Sequence, residues 1–227
     1  MNELALFAGA GGGILAGQRL GWRTVAAVEW NPYAASVLAQ RQNDGLLPAF
    51  PIWGDIRTFD GRPWRGVVDV VSGGFPCQAY STAARGNNTA EDLWPEMLRV
   101  VADVTPWGVF AENVAERAIE AAAADLISLG YRAVAVAVSA EYVGADHGRP
   151  RFWLLAYANS HRELLRAKHA EVAELQSVAE GLWASEPRGS RVAYGLADRM
   201  ERLAATGNGQ VPICAAVAFN ILRGSVT

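Results

Sequence analysis

The chain has 227 residues, 51% of them hydrophobic and 19% charged, with a formal net charge of −3, enough for one large domain with its own core. Its two cysteines lie far apart without a CxxC partner, and three histidines complete the set. That excludes a disulfide framework and a zinc spacing, so no metal is expected and a reducing compartment is. The acidic balance gives no whole-chain nucleic-acid signal, although Arg85, Arg149, Arg151, Arg188 and Arg191 all fall in glycine- or proline-bearing segments.

The N-terminal MNELALFAGAGGGIL has no basic leader, carries Glu3 and is too rich in glycine for a signal-peptide core. No apolar run reaches membrane-spanning length, so a cytoplasmic protein is expected. LALFAG (4–9) reads as a buried strand ending in a glycine turn, and ILAGQRL begins a helix. TVAAVE (24–29) is a second strand, followed by a helix with Asn31 as N-cap and Pro32 in its first turn. WGDIR ends a short third strand and VVDVVSGG is a clear further one. Residues 91–104 read as a helix with Pro95 in the first turn. WGVFAEN is a strand, RAIEAAAADLISLG a helix closed by Gly130, and RAVAVAVSA and RFWLLAYA are two more strands. From residue 158 to about 191 the rhythm breaks into a charged stretch of roughly helical spacing and a loop, SEPRGSR. VPICAAVAFNIL then closes the chain as an apolar helix, with Cys214 as core. The alternation predicts an α/β fold: a mostly parallel sheet with helices on both faces.

Three features carry chemistry. FAGAGGG at the end of the first strand brings backbone and a helix N-terminus close to a nucleotide-like ligand. Glu29, twenty residues beyond Gly9, is placed to accept ribose hydroxyls, a pattern shared by NAD, FAD and S-adenosylmethionine sites. Asp55 stands near the adenine edge or caps a loop. Cys77 follows a strand and SGGFP at the carboxyl edge of the sheet, where a helix N-terminus and arginines would favour a thiolate. Glu112 ends the next strand, and Arg149 and Arg151 open a later one. Singly these are packing and capping residues; together they place a nucleophile, an acid and cations at one crevice.

The motifs LALFAGAGGG, VEWNPYAASVL, GDI, GGFPCQAYS, LWPEM, FAENV, GRPRF and GNGQVP, in this order, resemble the DNA cytosine-C5 methyltransferase family. The resemblance implies a Rossmann-like fold that binds S-adenosyl-L-methionine and releases S-adenosyl-L-homocysteine. It implies Cys77 as nucleophile, Glu112 on the cytosine N3 and amine, and Arg151, with Arg149, at the base. Phe7, Gly9, Gly11, Glu29, Trp30, Asp55, Ile56, Leu93 and Asn208 would form the cofactor site, with Pro76 shaping the turn beside it. Gln78, Ser81 and Arg85 lie in a loop expected to close on double-stranded DNA around a flipped base.

Two departures stand out. His147 occupies a place where the family usually has Gln. The family's target-recognition region is much reduced, so the expected organisation is a catalytic core over 1–157, a reduced recognition segment over 158–191 and a return to the core over 192–227. Short sequence specificity is expected, with phosphate contacts from Arg188 and Arg191 or recognition supplied by a protein partner, in a monomer. The competing readings are RNA as substrate, a SAM- or DNA-binding module without turnover, and a nicotinamide oxidoreductase, the last supported by the glycine turn alone.

Overall fold

The computed structural model describes residues 1–76, 92–144, 148–158 and 209–225. Within them, β1 (Asn2–Leu6), β2 (Arg23–Val28), β3 (Ile52–Trp53), β4 (Val70–Gly74), β5 (Gly108–Asn113), β6 (Tyr131–Val138) and β7 (Arg151–Ala158) form one sheet. Their order is β3-β2-β1-β4-β5-β7-β6. All strands run parallel except β7, which is antiparallel to both β5 and β6. The expected mostly parallel sheet is therefore present. The reversal of β7 follows from its connection. The described part of the β6–β7 link holds one 3-10 turn, Glu141–Val143, and a parallel return needs a longer crossover, usually a helix.

Helices cover both faces, as the near-continuous apolar strands require. On one face lie α1 (Gly12–Arg19), α2 (Pro32–Asn43) and α5 (Pro212–Gly224). There Ala16 of α1 and Leu20, its C-cap, join Val217, Phe219 and Leu222 of α5 over Phe110, Trp153 and Leu155, while Leu38 of α2 packs with Ala5, Ile14 and Ala27. On the other face, α3 (Trp94–Val104) and α4 (Glu116–Ser128) press Met97, Val100, Val101, Ile119 and Leu126 onto Leu4, Leu6, Val71, Val109 and Leu154.

Local chemistry sets the ends of the elements. Asn31 caps α2 by accepting from Ala34 N at 3.0 Å, with Pro32 in the first turn as expected. Gly130, at φ 92°, ends the α4 segment. The helix expected over 91–104 begins at Trp94 with Pro95 in its first turn; Glu91 lies outside the described residues. The third strand is only two residues long. Cys214 is buried in α5, as expected.

Strand order reverses between β1 and β4, which places a crevice beyond their carboxyl ends. The glycine turn leaves β1 there, Gly74 ends β4, and Glu112 lies on the neighbouring end of β5.

Candidate active site and cofactor cleft

The first half of the site is the turn from β1 to α1. Phe7 (φ 51°), Gly9 (φ 55°) and Gly11 (φ 91°) adopt left-handed conformations, the last immediately before the helix. For Phe7 that backbone is strained, a cost of order 1–3 kcal/mol that concentrates at ligand sites. The turn is fixed from outside: Ala8 N donates to Val28 O at 3.1 Å and Arg41 donates to Ala10 O. Glu29, one residue past β2, accepts from Gly9 N at 2.6 Å through Oε2 and from Asn31 N at 2.7 Å through Oε1. Each carboxylate oxygen keeps a second lone-pair direction for a ligand hydroxyl.

A small cleft opens beside this turn, lined by Phe7, Gly9, Gly13, Ser72, Gly73, Gly74 and Gln210 among others. A Cβ on Gly9 would meet nothing within 4 Å, so the backbone there borders open space. A strained glycine turn and an anchored carboxylate with spare acceptors are the groups that would meet the ribose of an adenosyl cofactor. Trp30, 67% exposed, offers its ring at the rim, with the Arg57 guanidinium 5.0 Å from the ring centroid. Asp55 caps the Ile56–Thr58 turn through Arg57 N and pairs with the Arg57 side chain at 2.9 Å, which holds its carboxyl below the usual range. Of the two readings of Asp55, the structure displays the capping role. Ile56 is buried beneath that turn.

The second half is built from the ends of β4, β5 and β7. Glu112 is buried, and its Oε1 lies 2.8 Å from Arg151 Nε. Burial raises the proton affinity of its carboxyl above the ordinary value, while Arg151, a hydrogen bond from Gln210 and Arg149 oppose the rise. Arg149 Nη2 donates to Gly209 O at 2.8 Å. The structure thus brings Glu112, Arg149 and Arg151 together from two distant segments, as the sequence suggested.

Asn113, facing the opposite side of the sheet, braces the exit of β4. Its Nδ2 donates to Phe75 O at 2.9 Å, and its Oδ1 accepts from Ala115 N at 2.9 Å. Phe75 packs on Trp94 with ring centroids 4.9 Å apart, and Leu93 N approaches Pro76 O at 3.4 Å. The backbone immediately before Cys77 is therefore held by β5 and by the start of α3. Cys77 itself, with Gln78, Ser81, Arg85, His147, Arg188, Arg191 and Asn208, lies outside the described residues. So does the segment 158–191 assigned to target recognition, apart from Ala158.

Gln210 touches both halves of the site and was not among the expected residues. The only signal available in sequence was its place in GNGQVP, two residues beyond Asn208. A separate surface hollow lined by Arg57, Asp60, Arg62, Arg99 and Asp103 contains the ion pairs Arg62–Asp60 and Arg99–Asp103 and lacks the glycine backbone of the cleft. Among the described residues no cluster of three or more metal-ligating side chains occurs, and no helix is long and apolar enough to cross a membrane.

A family model described as C-5 cytosine-specific DNA methylase matches residues 1–202. This chain belongs to that family. It is similar to the Type II methyltransferase M.NgoMIV of Neisseria gonorrhoeae, at 29% identity over 80% of this chain and 60% of the relative. The Type II methyltransferase M.Eco47II of Escherichia coli is 34% identical over 56% of this chain and 32% of its own length. M.HhaI of Haemophilus parahaemolyticus is 29% identical over 70% of this chain and 50% of its own. The chain thus spans about a third to three-fifths of these relatives. Among solved structures, Schizosaccharomyces pombe Dnmt2 matches with a TM-score of 0.56 at 20% identity, over 77% of this chain and 58% of that one. Spodoptera frugiperda DNMT2 matches with a TM-score of 0.57 at 19% identity, over 70% and 50%. The C-5 methylase chain therefore shares their methyltransferase fold.

Proposed function

We propose that this chain transfers a methyl group from S-adenosyl-L-methionine to C5 of cytosine in double-stranded DNA. The observation that carries the reading is the Glu112–Arg151 pair, buried at the strand ends beside a strained glycine turn tied to Glu29. Glu29 would hold the ribose of the cofactor, Gly9 and Gly11 would line its site, and Phe7 would lie against the adenine. Trp30, Asp55, Ile56, Leu93 and Asn208 would enclose its adenine, with Pro76 shaping the adjoining turn. Bound there, the cofactor supplies an electrophilic methyl group on a sulfonium.

Cytosine C5 is a weak nucleophile, so electrons must first be added to the ring. The Cys77 thiolate forms a bond to C6 while Glu112 gives its proton to N3, and the electron pair of the C5–C6 double bond becomes available at C5. Arg151 holds the base through its O2, and Arg149 adds positive charge behind it. After methylation, loss of the C5 proton to a base restores the double bond, Cys77 departs and N3 returns its proton to Glu112. Burial of Glu112 suits this role, because it keeps a carboxyl protonated at a higher pH than exposure would. The atoms attacked lie inside the base stack, so the cytosine must be flipped into the pocket.

The organisation proposed is a core over 1–157, a small recognition segment over 158–191 and a return to the core over 192–227. Gln78, Ser81 and Arg85 would contact the DNA around the flipped base, and Arg188 and Arg191 its phosphates. A segment this short supports recognition of a short site, or recognition completed by a protein partner.

Expression in a host lacking cytosine methylation, followed by bisulfite sequencing, tests the reading. Methylcytosine is expected with the natural chain, and none with Cys77→Ala. Glu112→Gln should lower the signal at least a hundredfold, in the range of general acid–base effects. Unmethylated DNA carrying a folded natural protein would overturn the assignment to DNA, and methylated RNA in the same cells would identify the competing substrate.

A further inference from the structure

Gln210 occupies a slot made of three glycines from two places in the chain. A Cβ on Gly12 would collide with the Gln210 carbonyl oxygen, and one on Gly13 with its side-chain Oε1. A Cβ on Gly74 would lie 3.1 Å from Gln210 Nε2 and closer still to Glu112 Oε2. The amide nitrogen and the carboxylate oxygen therefore share the space above Gly74, and Gln210 donates a side-chain hydrogen bond to Glu112. Its backbone is rigidly held: Val211 is the N-cap of α5, whose residues from Ile213 to Asn220 are buried without a break, and Gly209 O accepts from Arg149.

The two oxygens of Glu112 are thus approached from two directions. Arg151 takes Oε1 at 2.8 Å, and Gln210 Nε2 stands beside Oε2 above Gly74. Two donors from separate elements fix the rotation of a carboxyl group that one alone would leave to swing. We propose that Gln210 is a positioning residue for Glu112, reaching from the segment before α5, packed on Gly12 and Gly13, to orient the acid toward the cytosine edge. The proposal deepens the cytosine methyltransferase reading and rests on it for the role of Glu112. Among the described residues, the charged and titratable groups around Glu112 are Arg151 in β7 and Arg149 just before it, with Cys214 of α5 near the same arginines. All three remain when Gln210 is replaced, so a change in titration reports the missing amide.

The test compares the full chain with Gln210→Met, which keeps length and bulk and removes the donor. The Glu112 carboxyl is followed by isotope-edited infrared titration, with Glu112→Gln identifying its band. Loss of a donor that favours the carboxylate must move the midpoint to higher pH. The limb on which methylation falls as Glu112 loses its proton should move up with it, and turnover should fall about tenfold, as for a hydrogen bond to a charged group. An unchanged midpoint in a folded variant overturns the proposal. Should Gln210→Met fail to fold, the natural chain still decides: the Gln210 side-chain amide resonances must titrate with the Glu112 midpoint, and flat resonances overturn it. Neither titration needs turnover, so a natural chain without methylation would overturn the enzymatic reading and leave the Gln210–Glu112 contact separately judged.

Discussion

Two buried glutamates on the same sheet face divergent environments. Glu112 has Arg151 beside one oxygen and shares the space above Gly74 with Gln210 at the other. Glu3, in β1, is wholly buried and has only hydroxyl partners, accepting from Ser72 Oγ at 2.6 Å and Thr24 Oγ1 at 2.7 Å. Burial pushes its carboxyl up from 4.5 to about 7. In the unfolded chain that carboxyl ionises near 4.5, so between there and about 7 the folded state binds more protons. The associated stability is present in full below pH 4.5 and is lost as pH rises through about 7. The loss is at most about 3 kcal/mol. Urea unfolding at pH 5 and pH 8 should reveal this decline in the natural chain and a flatter profile in Glu3→Gln, which mimics the protonated form. Equal slopes for both proteins would mean Glu3 titrates normally.

At the scale of elements, the site depends on how closely α1 and the 209–211 segment approach. Gly12 has an ordinary helical place, so its local conformation asks nothing special of it. The demand comes from the Gln210 carbonyl, which leaves no room for a Cβ. Gly12→Ala should therefore open the junction, costing about 1–3 kcal/mol as other overpacked sites do. Calorimetry should find cofactor affinity reduced at least tenfold. Gly224→Ala, where an added Cβ meets nothing within 4 Å, serves as the control and should leave both stability and affinity unaltered. Asn113 illustrates the same dependence on neighbouring elements. In sequence it stands next to Glu112, yet the pleat turns it to the opposite face, where it holds Phe75 and the strand exit leading to Cys77.

Over the whole molecule, α5 is the helix that returns from beyond the described gap to seal one face of the sheet. Phe219 is fully buried there, with ring contacts to Trp22 at 4.9 Å and Phe110 at 5.4 Å. Phe219→Ala should cost about 3–5 kcal/mol, the range for emptying a packed aromatic site. Ile127→Ala, on an exposed position of α4, should stay within about 0.5 kcal/mol. A thermal or urea melt separates the two, and equal effects would show that α5 is not a structural closure.

Much of this was legible in the chain itself, because short-range rules govern it. Apolar runs of strand length, the Asn31–Pro32 helix start and the spacing from Gly9 to Glu29 depend on residues near one another. They determined the strands, the helices and the crevice where a cofactor would bind. The ordered motifs placed Glu112 and Arg151 in one site before any distance was known. Tertiary structure alone decided the rest. The antiparallel turn of β7 came from a link whose described residues hold one 3-10 turn and no crossover helix, and the Asp55 carboxylate went to Arg57 because that cation follows in the same tight turn. Gln210 reached Glu112 because Gly12, Gly13 and Gly74, separated by up to 62 positions, leave one shared slot without a Cβ. A sequence states which atoms each residue lacks, and only packing decides which distant side chain fills the space.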